Sequence, residues 1–519
     1  MTLLSPGQEV QELAPKVVTI QGASVGAKVF VGVTVKGPMG LGGPVFSWDQ
    51  FVEQYGGFTE NGWVAYAVYS TYQNEPGAKV YVVRVAHYSD ITDAGTLTAK
   101  ASSVTLNDRA TTTPVPTLKV SASSPGKWGD NLKVKIADNG TNKFDLEVYE
   151  TVNGSDVLRD KFTGLTMDPT DTQNYVEYRV NGKGRKYIVV EDQSSATAAP
   201  DNRPAVGTFP LAGGDDGLTD LDDTDFIGDP TSRTGLYAMN TLDELFTFAV
   251  PGKTTSAVHN AMIAYAEGRK DCYFVLDLPF GLTAQEAADY RQTTLGANTD
   301  YGEANWPHLV ITDPLTKQRK TIPNSGFVMG AMGRTFAAKG AWKAAAGVED
   351  GRLFGAIALE TDEVNDRGAR DILYQAQINP IYFVPNYGIC KFGSLTLAVD
   401  GNKLQHVNQR WTFLYCEDSI KRGTMWELFE NIDTNLMKKA ERTIKAFLLG
   451  VWRDGGLKGD RPQDAFYVQV DLGNNPESET SKGNLRHRIG LAIHTPANFV
   501  YFEFERDQRA LEAELAAAQ

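Results

Sequence analysis

The sequence predicts a multidomain α+β protein: an α/β core built from N- and C-terminal parts, an inserted all-β domain, and extended terminal arms. Three observations carry that prediction. Strand-like and helix-like stretches alternate on both sides of residues 89–203, as in a layered core. Between those bounds Thr, Ser, Asn, Asp and Gly dominate, and short alternating runs lie between turn residues. The two ends hold short apolar patterns with no sequence-adjacent partner. The 519 residues leave room for three to four domains of roughly 150 residues each, and the 42% apolar content excludes disorder as the main state. The expected divisions are 1–20 (N-terminal arm), 21–88 (first part of the core) and 89–205 (inserted β domain). They continue as 206–400 (α/β middle domain), 401–495 (C-terminal core) and 496–519 (C-terminal arm and tail helix).

In the first arm Pro6, Gly7 and Pro15 interrupt any helix, and Glu9, Val10, Gln11, Glu12 and Leu13 form a weak strand-like alternation. Val29, Val31, Val33 and Val35 recur every second residue, a strand ended by Gly37-Pro38. Ser47 ahead of Trp48-Asp49-Gln50 has a capping-box spacing that opens a short helix, stopped by Gly56-Gly57. A second helix is predicted over 62–74, and 79–85 reads as a strand covered on both faces. In the insertion, 132–136, 144–149, 175–180 and 187–190 read as strands. Beyond it, strands over 245–250, 273–278 and 309–312 alternate with helices over 255–267 and 283–294, which predicts a parallel layer. Helices follow from Arg410 to about Phe429 and over 434–453, then strands over 465–470, 488–494 and 499–505, and a helix over 507–518.

Charge and composition exclude several function classes. Acidic residues outnumber basic ones 64 to 50, the wrong sign for a non-specific nucleic-acid binder, so no nucleic-acid partner is expected. No apolar run approaches the roughly 18–20 residues of a membrane span, so no membrane partner is expected either. Cys272, Cys390 and Cys416 are an odd count that fits a reducing compartment, and residues 1–15 hold no Lys, Arg or signal-peptide core. The expectation is a soluble protein made in the cytosol.

The search for chemistry returns no catalytic, cofactor or metal residue. Val250-Pro251-Gly252-Lys253-Thr254-Thr255 resembles the end of a phosphate-binding loop, but Thr247 stands where that loop needs Gly. The run Asp215, Asp216, Asp220, Asp222, Asp223, Asp225 and Asp229 lacks the ligand spacing and central Gly of a calcium loop. The six histidines form no HExxH pair, the cysteines no CxxC, and no serine sits in a GxSxG elbow.

Several segments, in one order, resemble the tail sheath proteins of contractile-tailed bacteriophages and related particles. They begin with Ser5-Pro6-Gly7 followed by Val10 and Glu12, Phe30-Val31-Gly32, and Val82-Val83-Arg84-Val85. Pro125-Gly126-Lys127-Trp128-Gly129-Asp130-Asn131-Leu132 and Leu211-Ala212-Gly213-Gly214-Asp215-Asp216-Gly217 follow. The series continues with Ile322-Pro323-Asn324-Ser325-Gly326 and Gly340-Ala341-Trp342-Lys343, after which Ala345 stands where the family commonly has Pro. It ends with Glu417-Asp418-Ser419-Ile420, Val451-Trp452-Arg453-Asp454-Gly455-Gly456-Leu457, Ala465-Phe466 and Pro496-Ala497.

The resemblance implies a structural, non-enzymatic subunit without cofactor. Copies would stack as hexameric rings in a helical array around a tail tube and contract to drive the tube through a host envelope. The implied partners are the chain itself, the tail tube protein, and baseplate and tail terminator proteins. The implied location is a virion tail assembled in the bacterial cytoplasm. It also implies that terminal arms of neighbours complete a sheet whose acceptor residues are Phe466, Val468, Val470, Ile489, Leu491 and Ile493. The donors would be Glu9 to Leu13 and Phe499, Val500, Tyr501, Phe502 and Phe504. On the helix 434–453, Lys438, Arg442 and Lys445 line one face, either solvated or meeting acidic groups on a tube or neighbour. Two other function classes stay open: a nucleotide-dependent hydrolase using the α/β layer and Lys253, and a baseplate or host-surface adhesin using the insertion.

Overall fold

The computed structural model describes residues 19–182, 186–399, 401 and 403–498. The opening unit is β1 (Ala27–Gly32), β2 (Gly40–Leu41), α1 (Trp48–Tyr55), α2 (Val64–Asn74) and β3 (Lys79–Arg84). Ser47 Oγ accepts the Gln50 N–H at 3.3 Å, and Gly56 ends α1 at φ 83°, a left-handed conformation that favours Gly. The return bond reaches one residue further back than a capping box, from the Phe46 N–H to Gln50 Oε1 at 2.8 Å.

The insertion contains β4 (Ser103–Asn107), β5 (Pro116–Ala122), β6 (Leu132–Asp138), β7 (Phe144–Val152), β8 (Ser155–Leu165), α3 (Val176–Val180), β9 (Ile188–Asp192) and β10 (Gly207–Pro210). They make two antiparallel sheets, ordered β10-β6-β7-β8 and β4-β5-β9. Leu132, Val134 and Ile136 alternate inward against Phe144, Leu146 and Val148, a core separate from that of the main sheet. Residues 175–180 form a helix instead of the expected strand. Val176, Tyr178 and Val180 fit a two-residue period, but the two valines are also one helical turn apart, and Tyr178 is 58% exposed. Asn181 fixes the helix end by bonding both polar groups of Val190.

Next come β11 (Phe246–Ala249), α4 (Ser256–Arg269), β12 (Cys272–Asp277), α5 (Ala284–Asp289), β13 (Gly302–Trp306), β14 (Leu309–Thr312), β15 (Arg319–Ile322) and α6 (Ser325–Lys339). The segment closes with β16 (Ala358–Leu359), α7 (Arg367–Gln375), β17 (Ile378–Val384) and β18 (Gly388–Lys391). The main sheet has eight strands in the order β18-β17-β13-β12-β11-β1-β3-β2. Its six inner strands run parallel, and both edge strands are antiparallel. Every residue of β1 is buried because the sheet is covered twice. Val29 and Val31 face a core shared with Met262, Ala287 and Leu373, while Phe30 faces one shared with Phe51, Phe327 and Trp411.

One expected member is absent from this sheet. β14 pairs antiparallel with β15 and β16 in a small sheet of its own. Only Pro307 and His308 separate it from β13, and a parallel return needs a dozen or more residues. The strand that fills the place is β13, whose GEANW sequence has no apolar alternation.

The C-terminal segment holds α8 (Val407–Gly423), α9 (Thr434–Arg453), β19 (Phe466–Gln469) and β20 (Arg488–Leu491). Among the described residues it adds no strand to the main sheet; the N-terminal strands pair there with those of the middle segment. Its link is α8, which gives Val407, Trp411 and Leu414 to the main core and Cys416 and Ile420 to a separate C-terminal one.

At the far side of the main sheet, Lys391 on β18 and Glu303 on β13 form a fully buried ion pair, 2.6 Å from Nζ to Oε2. Asn379 also donates to Glu303 Oε2, at 3.0 Å. Desolvation pushes the Glu303 carboxyl up, and Lys391 opposes that shift. Removing one partner strands the other in the core. Lys391→Met alone should therefore cost about 3–5 kcal/mol, and Glu303→Gln combined with Lys391→Met should recover most of it. Urea unfolding of wild type, both single variants and the double variant checks the coupling.

Candidate functional site

Several of the residues singled out for chemistry have structural work. Lys253 Nζ is 3.2 Å from Asp223 Oδ1 and 4.3 Å above the Phe226 ring, at a turn where Gly252 (φ 73°) packs on Trp63. Asp225 is buried, accepting the Tyr88 N–H at 3.0 Å and lying 3.0 Å from His87 Nδ1. Asp222 caps the following turn, and Asp216 accepts the Lys127 N–H at 2.9 Å. The three cysteines are buried and unpaired. Among the described residues no three or more His, Cys, Asp or Glu side chains gather as metal ligands.

The region that the interface residues do share is the C-terminal module. Asp433 starts α9 by accepting the Leu436 N–H at 2.7 Å. Leu436, Met437, Ala440, Ile444, Leu448 and Val451 form most of its buried face, at the spacing of a 3.6-residue period. Against that face lies the hairpin, with Phe466 opposite Leu491 and Val468 opposite Ile489. Val468 and Val470 are buried, while Phe466, Ile489, Leu491 and Ile493 are only half covered. Among the described residues this sheet has two strands, so one edge of each is unpaired. A two-stranded ribbon gains its stability from what packs on it, here α9.

The long connection between β19 and β20 is closed by Asn475, which is fully buried. Its Oδ1 accepts the Arg486 N–H at 2.6 Å and its Nδ2 donates to the Arg486 carbonyl at 3.0 Å. Sequence reasoning missed Asn475 and Ile20; Ile20 packs on the same core, as does Trp342 of the Gly340–Lys343 segment. Through Ile20 and the bond from the Ala23 N–H to Ser419 Oγ (2.8 Å), the N-terminal segment is fastened to the C-terminal module. Lys438, Arg442 and Lys445 are all exposed, and Lys445 is 2.5 Å from Glu441. Glu9, Val10, Gln11, Glu12 and Leu13 lie outside the described residues, as do Phe499, Val500, Tyr501, Phe502, Phe504 and the helix expected over 507–518.

No protein-family model matches the chain. The tail sheath protein of Enterobacteria phage T4 is 25% identical over 270 residues, covering 49% of this chain and 39% of that protein. The tail sheath protein of Vibrio phage KVP40 is 24% identical over 210 residues, covering 40% and 30%. The matched stretches thus span well under half the length of these relatives. Among solved structures, the helical sheath of the anti-feeding prophage in its contracted state superposes with a TM-score of 0.58 at 15% identity, covering 98% of this chain and 100% of that one. The chain has the fold of a tail sheath protein. The sheath tail protein of Listeria innocua shares that sheath fold with a TM-score of 0.59 at 12% identity, over 88% of this chain and 90% of its own. The α+β multidomain class and the resemblance to tail sheaths both hold.

In this sheath fold the hairpin depends on Asn475. Asn475→Ala removes both bonds to the Arg486 backbone, whose carbonyl keeps the Asn474 Nδ2 donor at 2.8 Å while its N–H loses its side-chain acceptor, at a cost of about 1–2 kcal/mol. Hydrogen exchange should show faster opening of 466–469 and 488–491, with the main sheet unchanged.

Proposed function

We propose that this chain is a structural subunit of a contractile phage tail sheath. Copies stack as hexameric rings in a helical array around a tail tube, and contraction drives the tube through the host envelope. The observation that carries the reading is the two-stranded hairpin on α9, half-covered and, among the described residues, with unpaired edges, in a chain with a sheath fold. Its partners are other copies of itself, the tail tube protein, and baseplate and tail terminator proteins. It works in the virion tail after assembly in the bacterial cytoplasm, and its role is mechanical.

The unpaired edges are completed by strands from neighbours, one from Glu9 to Leu13 and one from the stretch containing Phe499, Val500, Tyr501, Phe502 and Phe504. Each donated strand forms about four to six backbone bonds at a net ~1 kcal/mol apiece. Ordering a strand costs ~1–2 kcal/mol per residue, so the bonds alone do not hold it. Covering the half-exposed faces of Phe466, Ile489, Leu491 and Ile493 with Val10, Leu13 and the aromatic stretch supplies the remainder. A weak single arm becomes a firm link when subunits already share a ring, because the effective concentration is high. A mesh joined this way stays connected while whole subunits turn.

Deleting residues 1–16, or truncating after Pro496, should yield a folded protein that no longer forms tubes by electron microscopy. Normal contractile sheaths from either variant would refute the strand exchange. The exposed basic face meets acidic groups on the tube or a neighbour. Lys438→Glu, Arg442→Glu and Lys445→Glu together should therefore keep the melting temperature within a few degrees and abolish assembly on tubes at low salt. Unchanged assembly would assign that face to solvent.

A further inference from the structure

The connection between α8 and α9 presents an apolar knob. Phe429 is 105% exposed, the most exposed large apolar side chain among the described residues, and Met425 and Leu428 beside it are 63% and 64% exposed. Phe429 has φ 69°, a left-handed backbone that an aromatic residue rarely adopts. The knob is anchored at its base: Glu427 Oε2 is 2.9 Å from His487 Nε2, and Lys439 Nζ lies 3.8 Å over the Trp426 ring. From 424 to 433 its only charges are Glu427, Glu430 and Asp433. An exposed apolar cluster on a fixed and strained turn has the character of a docking element.

The same module carries a groove of matching chemistry. It has a volume of about 670 Å³ and apolar walls that include Ala446 and Leu449 of α9, Phe466 and Tyr467 of β19, and Pro462. Arg442 and Lys445 stand at its rim. No knob residue lines it. Ala446 lies twelve residues into α9 from Thr434, roughly 18 Å along the axis, so a knob cannot reach its own groove while the helix is intact.

We propose that the knob of one copy seats in the groove of a second copy. Phe429 and Leu428 enter between α9 and β19, and Glu430 meets Arg442 or Lys445 at the rim. An acidic-flanked apolar knob and a basic-rimmed apolar groove are complementary in both shape class and sign. Because they occupy different faces of one chain, the contact is heterologous, and its repetition builds a ring or a helix. It uses side chains of the folded module, goes beyond the strand exchange above and does not depend on it.

The test uses full-length chains carrying Phe429→Cys in one preparation and Leu449→Cys in another, mixed under mild oxidation. Cys272, Cys390 and Cys416 are buried, so the new thiols are the reactive ones. A disulfide-linked dimer should form at least tenfold faster than with Leu472→Cys, an exposed control residue elsewhere on the module. A rate equal to the control, or a Leu449→Cys link to Leu13→Cys in its place, overturns the proposal. In sedimentation at low salt, Glu430→Lys should weaken self-association at least tenfold, and adding Arg442→Glu with Lys445→Glu should restore it. Unchanged association in Glu430→Lys, or no restoration, also overturns it.

Discussion

The fold depends on the pairing of β1 with two strands remote from each other in the chain. β1 lies between β11 and β3, with Phe30 opposite Ala249 on one side and Val82 on the other. Parallel neighbours cannot be joined by a tight turn, so the intervening chain must leave the sheet and return. Between β3 and β11 that excursion contains the whole β insertion. Its two crossings run side by side, with the His87 N–H donating to the Gly217 carbonyl at 2.8 Å and Lys100 exchanging backbone bonds with Asp215. The insertion thus hangs from the sheet by two paired connections while keeping a core of its own.

Its attachment is polar and specific. Arg84, at the end of β3, donates through Nη1 to the carbonyls of Gly37 and Pro125, both at 2.8 Å. Burial lowers its pKa to about 10, so the guanidinium stays charged at neutral pH. Lys36 sits over the rings of Trp128 and Tyr187, and Lys186 pairs with Glu53. Such contacts orient a domain without merging the two cores.

The C-terminal module is joined differently. One helix, α8, belongs to two cores at once, with Trp411 in the main one and Ile420 in the other. Arg410 ties the same helix to the α/β layer by lying 4.4 Å over Tyr301 and pairing with Asp300 at 3.6 Å. A rigid helix transmits displacement between the modules it joins, whereas the hairpin rests on α9 and, among the described residues, has one unpaired edge on each strand.

The sequence alone determined the elements whose signals are local. Ser47 and Gly56 bracketed α1, the helix expected over 283–294 begins where α5 does, and the expected range 434–453 matched α9 at both ends. The hairpin was legible for the same reason, since strand alternation in Phe466 and Val468 needs no distant partner to be seen. Tertiary structure decided what local pattern leaves degenerate. It set 176–180 as a helix, which buries both valines and leaves Tyr178, on the same face of a strand, exposed. It sent β14 out of the main sheet because two residues cannot cross over, and it admitted β13, whose Glu303 is tolerable in a core only beside Lys391 and Asn379. Asn475 and Ile20 were invisible in the sequence because each acts through partners that only the folded chain brings together. Burial and pairing are properties of distance in space, and the sequence encodes them only where neighbours in space are also neighbours in the chain.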